Sequence, residues 1–87
     1  MTRAHVTYFA GAAEAAGTRT ETVDVPQSID AAELRACLAV GKSAHFADLV
    51  GVCALIIDGQ TISEAERCQL GDNIQIEVLP PFAGGLF

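Results

Sequence analysis

The chain has 87 residues and 51% of them are hydrophobic, which suits one small domain with a single core. Eleven acidic residues against five Lys and Arg give a formal net charge of -6. This charge argues against binding to nucleic acid or anionic lipid and favours a partner that is basic where it docks. No apolar run reaches the length of a signal peptide or membrane span, so we expect a cytoplasmic protein.

The N-terminal part predicts a β-hairpin with a wide connection. Residues 5–9 are rich in β-branched and aromatic side chains, as in a strand. The alanine-rich residues 11–17 predict a single packed helical turn with glycine at both ends. Residues 21–25 predict the return strand, because Pro26 stops further pairing.

The clearest helix signal begins at Asp30. Glu33 follows three residues later, as in a capping box, and Gly41 is typical of the end of a helix. The apolar residues at i, i+3 and i+4 predict one buried stripe that packs on the sheet, formed by Leu34, Cys37 and Leu38. Arg35 lies off this stripe and is expected to point away from the core.

The C-terminal part predicts further strands of the same sheet. A loop is expected at residues 42–48, followed by an apolar strand and the turn signal Asp58-Gly59. The alternation of Ile74, Ile76 and Val78 with polar residues predicts a last strand with one buried face. The order of elements predicts an α+β fold of the β-grasp kind, a mixed sheet packed against one main helix. We expect a single domain at residues 1–79 and a flexible tail at residues 80–87.

The predicted body contains no recognisable catalytic or metal site. His5 and His45 have no partner at the spacing of a ligand set or catalytic triad. The cysteines are odd in number and widely spaced, which argues against disulfides, zinc and dithiol chemistry, and we expect them to pack as small hydrophobes; they are Cys37, Cys53 and Cys68. No metal site is therefore predicted.

The tail, PPFAGGLF, is the remaining candidate for a functional segment. Pro80 and Pro81 are expected to stiffen its base by restricting φ. Gly84 and Gly85 lack Cβ and can pass through a channel too narrow for side chains. The six residues after Pro81 extend to about 20 Å, enough to enter another protein's cleft.

The sequence resembles the family of ubiquitin-like β-grasp sulfur carriers that serve as small subunits of molybdopterin synthase. The resemblance rests on an ordered set of segments, VTYFAGAAEAAGT, IDAAELRACL and LGDNIQIEVLPPFAGG. It covers nearly the whole chain, and Pro-Pro ahead of Gly-Gly is its most specific part. The resemblance therefore implies a β-grasp fold and a chemically active C-terminal glycine.

The resemblance also implies a reaction and a set of partners. In the family, a ubiquitin-activating-like adenylyltransferase uses ATP to adenylate the terminal glycine, and a sulfur donor converts it to a thiocarboxylate. The thiocarboxylate then enters the basic active site of the large synthase subunit and donates sulfur to the pterin precursor. The carrier binds no cofactor and is a non-catalytic subunit of the complex.

The resemblance assigns roles to individual residues of this chain. Gly85 corresponds to the sulfur-bearing residue, with Gly84 and Ala83 as the slim segment that threads into the partner. The expected apolar docking patch beside the tail consists of Phe9, Leu79, Pro80, Pro81 and Phe82. Burial in the core is the alternative role for Phe9.

The chain departs from the family pattern after Gly85. Leu86 and Phe87 follow it, so Gly85 has no free carboxylate in the chain as written. We hypothesise that a peptidase removes these two residues. The alternatives are a sulfur carrier for cysteine, thiamine or tRNA thiolation, a ubiquitin-like modifier, and a protein-binding module that is never activated.

Overall fold

The structure is a computed structural model, and it describes residues 1–81. It contains seven strands and three helices within that range. The strands are β1 (Thr2–Tyr8), β2 (Thr20–Val25), β3 (Ser28–Asp30), β4 (Ala54–Ile57), β5 (Gln60–Thr61), β6 (Arg67–Gln69) and β7 (Asn73–Leu79). The helices are α1 (Gly11–Ala16), α2 (Ala31–Ala39) and α3 (Ala44–Val50). None of these helices has the length and hydrophobicity needed to cross a membrane.

Five strands form one mixed sheet in the order β2-β1-β7-β4-β5. The central strands β1 and β7 are parallel, while the other neighbours are antiparallel. β3 and β6 form a separate two-stranded antiparallel ribbon. This architecture confirms the predicted α+β fold with a mixed sheet. The division into a domain at residues 1–79 and a flexible tail stays a prediction.

The core lies between one face of the sheet and the helices. The buried side chains of the two central strands alternate along each strand, as expected for a sheet with one covered face; they are Ala4, Val6, Tyr8, Ile74, Ile76 and Val78. Leu34 and Leu38 of α2 and Phe46 of α3 are fully buried in the same cluster. The predicted stripe of α2 therefore packs on the sheet, with Cys37 half-buried at its margin.

The capping box of α2 is present. The backbone N–H of Glu33 donates to Asp30 Oδ1 at 2.8 Å, and the backbone N–H of Asp30 donates to Glu33 Oε1 at 3.0 Å. Two N–H groups at the start of the helix are thus satisfied by side chains. At the other end Gly41 has φ of 75°, a conformation that glycine adopts without strain.

The prediction that Arg35 points away from the core is wrong. Its side chain is 14% exposed and reaches the C-terminal end of α3 and the segment that follows it. Nε donates to the carbonyl oxygen of Val50 and Nη2 to that of Cys53, each at 2.9 Å. The third contact is an ion pair with Glu64 at 2.6 Å. The guanidinium thus satisfies two backbone carbonyl groups as well as one carboxylate.

The predicted loop at residues 42–48 is also wrong, because most of it belongs to α3. Ser43 is the N-cap, and its hydroxyl accepts from the backbone N–H of Phe46 at 3.1 Å. Phe46 and Val50 are buried at positions i and i+4, with Leu49 half-buried beside them. His45 therefore lies on a helix rather than in a loop.

The predicted turn at Asp58 and Gly59 is confirmed. Both residues have positive φ, 48° and 85°, as a tight two-residue hairpin turn requires. The Asp58 side chain also accepts from the backbone N–H of Gln75 at 2.9 Å. The turn is thus fixed to the neighbouring strand β7.

We expect Asp30→Ala to lower the free energy of unfolding by about 1 kcal/mol, because the N-terminus of α2 loses its side-chain acceptor. Denaturant unfolding of the purified protein measures this change. Asp30→Asn is the matched control, because the amide oxygen still accepts from the backbone N–H of Glu33. An equal loss in both variants would contradict the capping explanation and point to the 3.8 Å ion pair of Asp30 with Arg67.

Candidate functional site

An apolar groove of about 580 Å³ lies where β7 ends. It collects residues from the β1–α1 junction, α1, α3 and the end of β7. The lining residues are Phe9, Ala10, Gly11, Glu14, Ala15, His45, Leu49, Leu79, Pro80 and Pro81. The groove therefore brings together four of the five residues predicted for docking, and Phe82 lies outside the described residues.

Parallel pairing places Phe9 next to the end of β7. Tyr8 is aligned with Val78, and the backbone N–H of Phe9 donates to the carbonyl oxygen of Val78 at 3.1 Å. Phe9 thus lies at the level of Leu79, with 40% of its surface exposed. Phe9 is therefore a surface residue, and the alternative of a core position is wrong.

The turn that leads from β1 into α1 is strained. Ala10 has φ of 49° and ψ of -127°, a region that residues with Cβ rarely adopt. At the other end of α1, Gly17 has φ of 79° and its N–H donates to the carbonyl oxygen of Ala13 at 3.0 Å. This short helix forms one wall of the groove, and the core holds it through the fully buried Ala12.

The opposite wall, α3, is fixed to β1 by an aromatic contact. The rings of Tyr8 and Phe46 meet edge to face, with centroids 5.5 Å apart. Lys42 Nζ lies 5.6 Å from the Tyr8 centroid and 5.3 Å from that of Phe46, within the range of cation–π attraction. Since Phe9 follows Tyr8 and His45 precedes Phe46, this contact sets the spacing of the groove walls.

Lys42 is held by further polar contacts. Its ammonium group is 2.6 Å from Glu21 Oε2 and donates to the carbonyl oxygen of Leu38 at 2.7 Å. The Tyr8 hydroxyl donates to the same carboxylate. The Lys42 side chain is only 9% exposed, so its charge is compensated mainly by Glu21.

These contacts shift two pKa values in opposite directions. Burial raises the pKa of the Glu21 carboxyl, but hydrogen bonds from Lys42 and Tyr8 and the Lys42 charge outweigh it, leaving the pKa below 4.5. Burial, followed by the hydrogen bond and charge of Glu21, raises the pKa of Tyr8 far above 10.0. Near neutral pH Glu21 is therefore a carboxylate and Tyr8 a neutral phenol.

The residues predicted to carry the chemistry follow Pro81, the last residue that the structure describes. Ala83, Gly84 and Gly85 of the threading segment lie outside the described residues, as do Leu86 and Phe87. In contrast, the contributions of Ala15, His45 and Leu49 to the groove are visible only in the structure. For α3 the signal was present in the sequence, since Ser43 precedes an i, i+3, i+4 pattern at Phe46, Leu49 and Val50.

The described residues show no grouping suited to metal chemistry. Within residues 1–81, no three His, Cys, Asp or Glu side chains gather as ligands of a metal ion. Cys53 is 2% exposed, and burial raises the pKa of its thiol despite the nearby charge of Arg35. Cys68 is half-buried in β6, where it pairs with Ile29 of β3. These environments are typical of packed thiols rather than reactive ones.

We expect Glu21→Gln to lower the free energy of unfolding at pH 7 by roughly 1–3 kcal/mol, because the Lys42 side chain, which is only 9% exposed, loses its counter-charge. Since folding lowers the pKa of Glu21, its contribution is full above the unfolded value near 4.5 and is lost as pH falls through the folded pKa. The difference between variant and parent should therefore shrink at acidic pH. Chemical denaturation at several pH values measures it.

Glu66→Gln is the matched control, because Glu66 is an exposed carboxylate on the same chain. It should change stability little at any of these pH values. A Glu21→Gln difference that stays constant through the acidic range would contradict the role of the carboxylate charge.

We expect Phe9→Ser to lower the free energy of unfolding by less than about 1 kcal/mol, because Phe9 lies on the surface. Phe46→Ala should lower it by about 3–5 kcal/mol, because that ring is fully buried. Denaturant titration of both variants provides the comparison. Similar losses at the two positions would show that Phe9 is a core residue after all.

Comparison with known proteins gives matches along almost the entire chain. The model of the ThiS family matches residues 6–85. A molybdopterin synthase sulfur carrier subunit from Caenorhabditis briggsae is 31% identical over 85 residues, which cover 98% of this chain and 100% of that protein.

Two solved structures extend the comparison. One is the protein–protein complex of subunits 1 and 2 of the molybdopterin-converting factor from Helicobacter pylori. The matched chain of that complex is 25% identical to this chain, with a TM-score of 0.64, and the match covers 97% of this chain and 100% of the other. The other is small archaeal modifier protein 1 from Methanosarcina acetivorans, with a TM-score of 0.75, 24% identity and 98% coverage of both chains. The second likeness concerns the fold alone. Because the family model and the curated relative each span nearly all of the sequence, the chain belongs to the ThiS family.

Proposed function

We propose that this protein is a sulfur carrier that acts as the small subunit of a molybdopterin synthase. The observation that carries the proposal is the 31% identity to a molybdopterin synthase sulfur carrier subunit over the whole length of that relative. Cysteine, thiamine or tRNA thiolation and protein modification remain alternatives, because they rely on the same kind of tail. The names of the Caenorhabditis briggsae relative and of the Helicobacter pylori complex favour molybdopterin synthesis.

The reacting group in this proposal is the carboxylate of Gly85. A carboxylate oxygen attacks the α-phosphate of ATP on an activating enzyme, which releases pyrophosphate and forms an acyl adenylate. Hydrosulfide supplied by the sulfur donor then attacks the carbonyl carbon, the C–O bond to AMP breaks so that AMP leaves, the S–H proton is lost to solvent, and a thiocarboxylate remains. The carrier supplies no catalytic side chain and binds no cofactor of its own, because ATP is used by the activating enzyme.

The peptide bond between Gly85 and Leu86 must be hydrolysed before this reaction begins. Support comes from the extent of the family match, which includes Gly84 and Gly85 but not Leu86 or Phe87. We therefore propose that a peptidase removes the residues after Gly85. Ala83 and the two glycines then form a segment without bulky side chains that can follow a narrow channel.

The groove beside β7 is suited to dock the large subunit. It exposes apolar surface of Phe9, Leu79 and Pro81 next to the point where the tail departs. A partner that covers this groove would receive the tail at the same interface. The net charge of -6 favours a partner with a basic surface, and the structure of the related two-subunit complex supports such an assembly.

The chain ending at Gly85 should become thiocarboxylated when incubated with an activating enzyme, ATP and a sulfur donor. Intact-mass analysis should find one oxygen replaced by sulfur, and only in the presence of ATP. The full chain should remain unmodified unless a peptidase is added. Thiocarboxylation of a chain that still ends at Phe87 would contradict the need for trimming.

Gly85→Ala in the shortened chain is the matched control. Its folding should be unchanged, while a misplaced carboxylate should slow sulfur transfer roughly 10- to 100-fold. Transfer to a pterin precursor with a large synthase subunit separates molybdopterin synthesis from the other thiolation pathways. A shortened chain that no activating enzyme modifies would instead support the binding-module alternative.

A further inference from the structure

We propose that Leu86 and Phe87 bind in the groove of the same chain, so that the untrimmed protein occupies its own docking surface. The groove is the one defined by Phe9, Leu49 and Leu79. This inference rests on the proposed function, because it assigns a second role to the residues that trimming removes. It differs from that function in requiring neither an activating enzyme nor a sulfur donor.

The exit point of the chain supports the proposal. Pro80 and Pro81 both line the groove, and they are the last residues that the structure describes. The chain therefore leaves the body from the groove itself rather than from a distant edge. Six residues follow, with a reach of about 20 Å when extended, so Leu86 and Phe87 can return to the groove through a reversal at Gly84 and Gly85.

The chemistry of residues 82–87 suits an apolar groove. Three of the six side chains are large and apolar, none of the six is charged, and the others are alanine and glycine; the large ones are Phe82, Leu86 and Phe87. In water these side chains expose apolar surface that association would bury. The groove already exposes Phe9 and has a volume of about 580 Å³, enough for large side chains to enter.

Because the tail is covalently linked to the body, even a weak affinity of Leu86 and Phe87 for the groove is sufficient to occupy it. A short flexible tether holds its end near the site at an effective concentration on the order of mM. A dissociation constant on the order of mM for the free segment would therefore fill the groove about half of the time. The same segment added as a separate peptide at micromolar concentration would leave the groove empty.

Trimming then has two effects rather than one. Hydrolysis of the bond between Gly85 and Leu86 creates the carboxylate that is to be activated. It also removes two apolar anchors from the groove and so opens the docking surface for the large subunit. Activation and assembly are thereby coupled to the same cleavage.

The test compares three isotope-labelled chains by NMR. The first is the full chain, the second ends at Gly85, and the third carries Leu86→Ser and Phe87→Ser at full length. In the full chain we expect nuclear Overhauser effects between the Phe87 ring and the Leu49 or Leu79 methyl groups. The amide shifts of Phe9, Ala15 and Leu49 should differ from those of the shortened chain, and the double-serine variant should resemble the shortened chain.

Each outcome decides the proposal. Groove resonances that coincide in all three chains would overturn it. Shift differences that disappear on dilution would also overturn it, since they would assign the contact to a second copy of the chain. Differences that persist on dilution and depend on Leu86 and Phe87 would support it. A failure of sulfur transfer would leave this result intact, so the two proposals can fail separately.

Discussion

The parallel pairing of β1 with β7 is the constraint on which the rest of the structure depends. These strands are far apart in sequence, yet they lie side by side at the centre of the sheet. Parallel neighbours end at the same edge, so the β1–α1 junction meets the exit of the chain from β7. The groove exists because of this arrangement. A shift of the register by one residue would turn the alternating core side chains to solvent, which fixes Phe9 opposite Leu79.

The contact between Tyr8 and Phe46 complements this pairing by adding α3 to the assembly. Tyr8 belongs to the central strand, whereas Phe46 belongs to a helix of seven residues, too short to be stable alone. Lys42 and Glu21 form an ion pair beside this contact, with the Lys42 side chain 9% exposed and the Glu21 side chain 26% exposed. The walls of the groove are therefore set by side chains from four separate segments. Arg35 secures the far end of α3 by binding the carbonyl oxygen of Val50.

Sequence patterns predicted the parts of the fold that depend on local rules. The capping box at Asp30, the turn at Asp58 and the alternation along β7 each follow from neighbouring residues, and each is present in the structure. Arg35 was misplaced because periodicity describes the direction of Cβ, while a long side chain can turn back to bind carbonyl groups. The loop prediction at residues 42–48 fails because the apolar pattern of α3, at Phe46, Leu49 and Val50, lies within a helix of only seven residues, which is too short for periodicity alone to identify.

The residues of the candidate site also fall into those that local sequence predicts and those that depend on long-range packing. Leu79, Pro80 and Pro81 were expected beside the tail because they adjoin it in sequence. Leu49 and His45 reach the groove only through the packing of α3, a long-range contact that no local pattern encodes. The role of Gly85 came from resemblance, and the residue lies outside the described part of the chain.

Lys42 is the only lysine in the sequence, and its buried ion pair has a chemical consequence. An acyl adenylate reacts with any accessible amine, and lysine side chains are the usual amines on a protein surface. Here the single lysine ammonium group is enclosed by Glu21, the Leu38 carbonyl and two aromatic rings. We therefore expect that activated copies do not link to one another through isopeptide bonds. If Gly85 is activated as proposed, this enclosure of the lysine suits a carrier better than a tag that builds lysine-linked chains on itself.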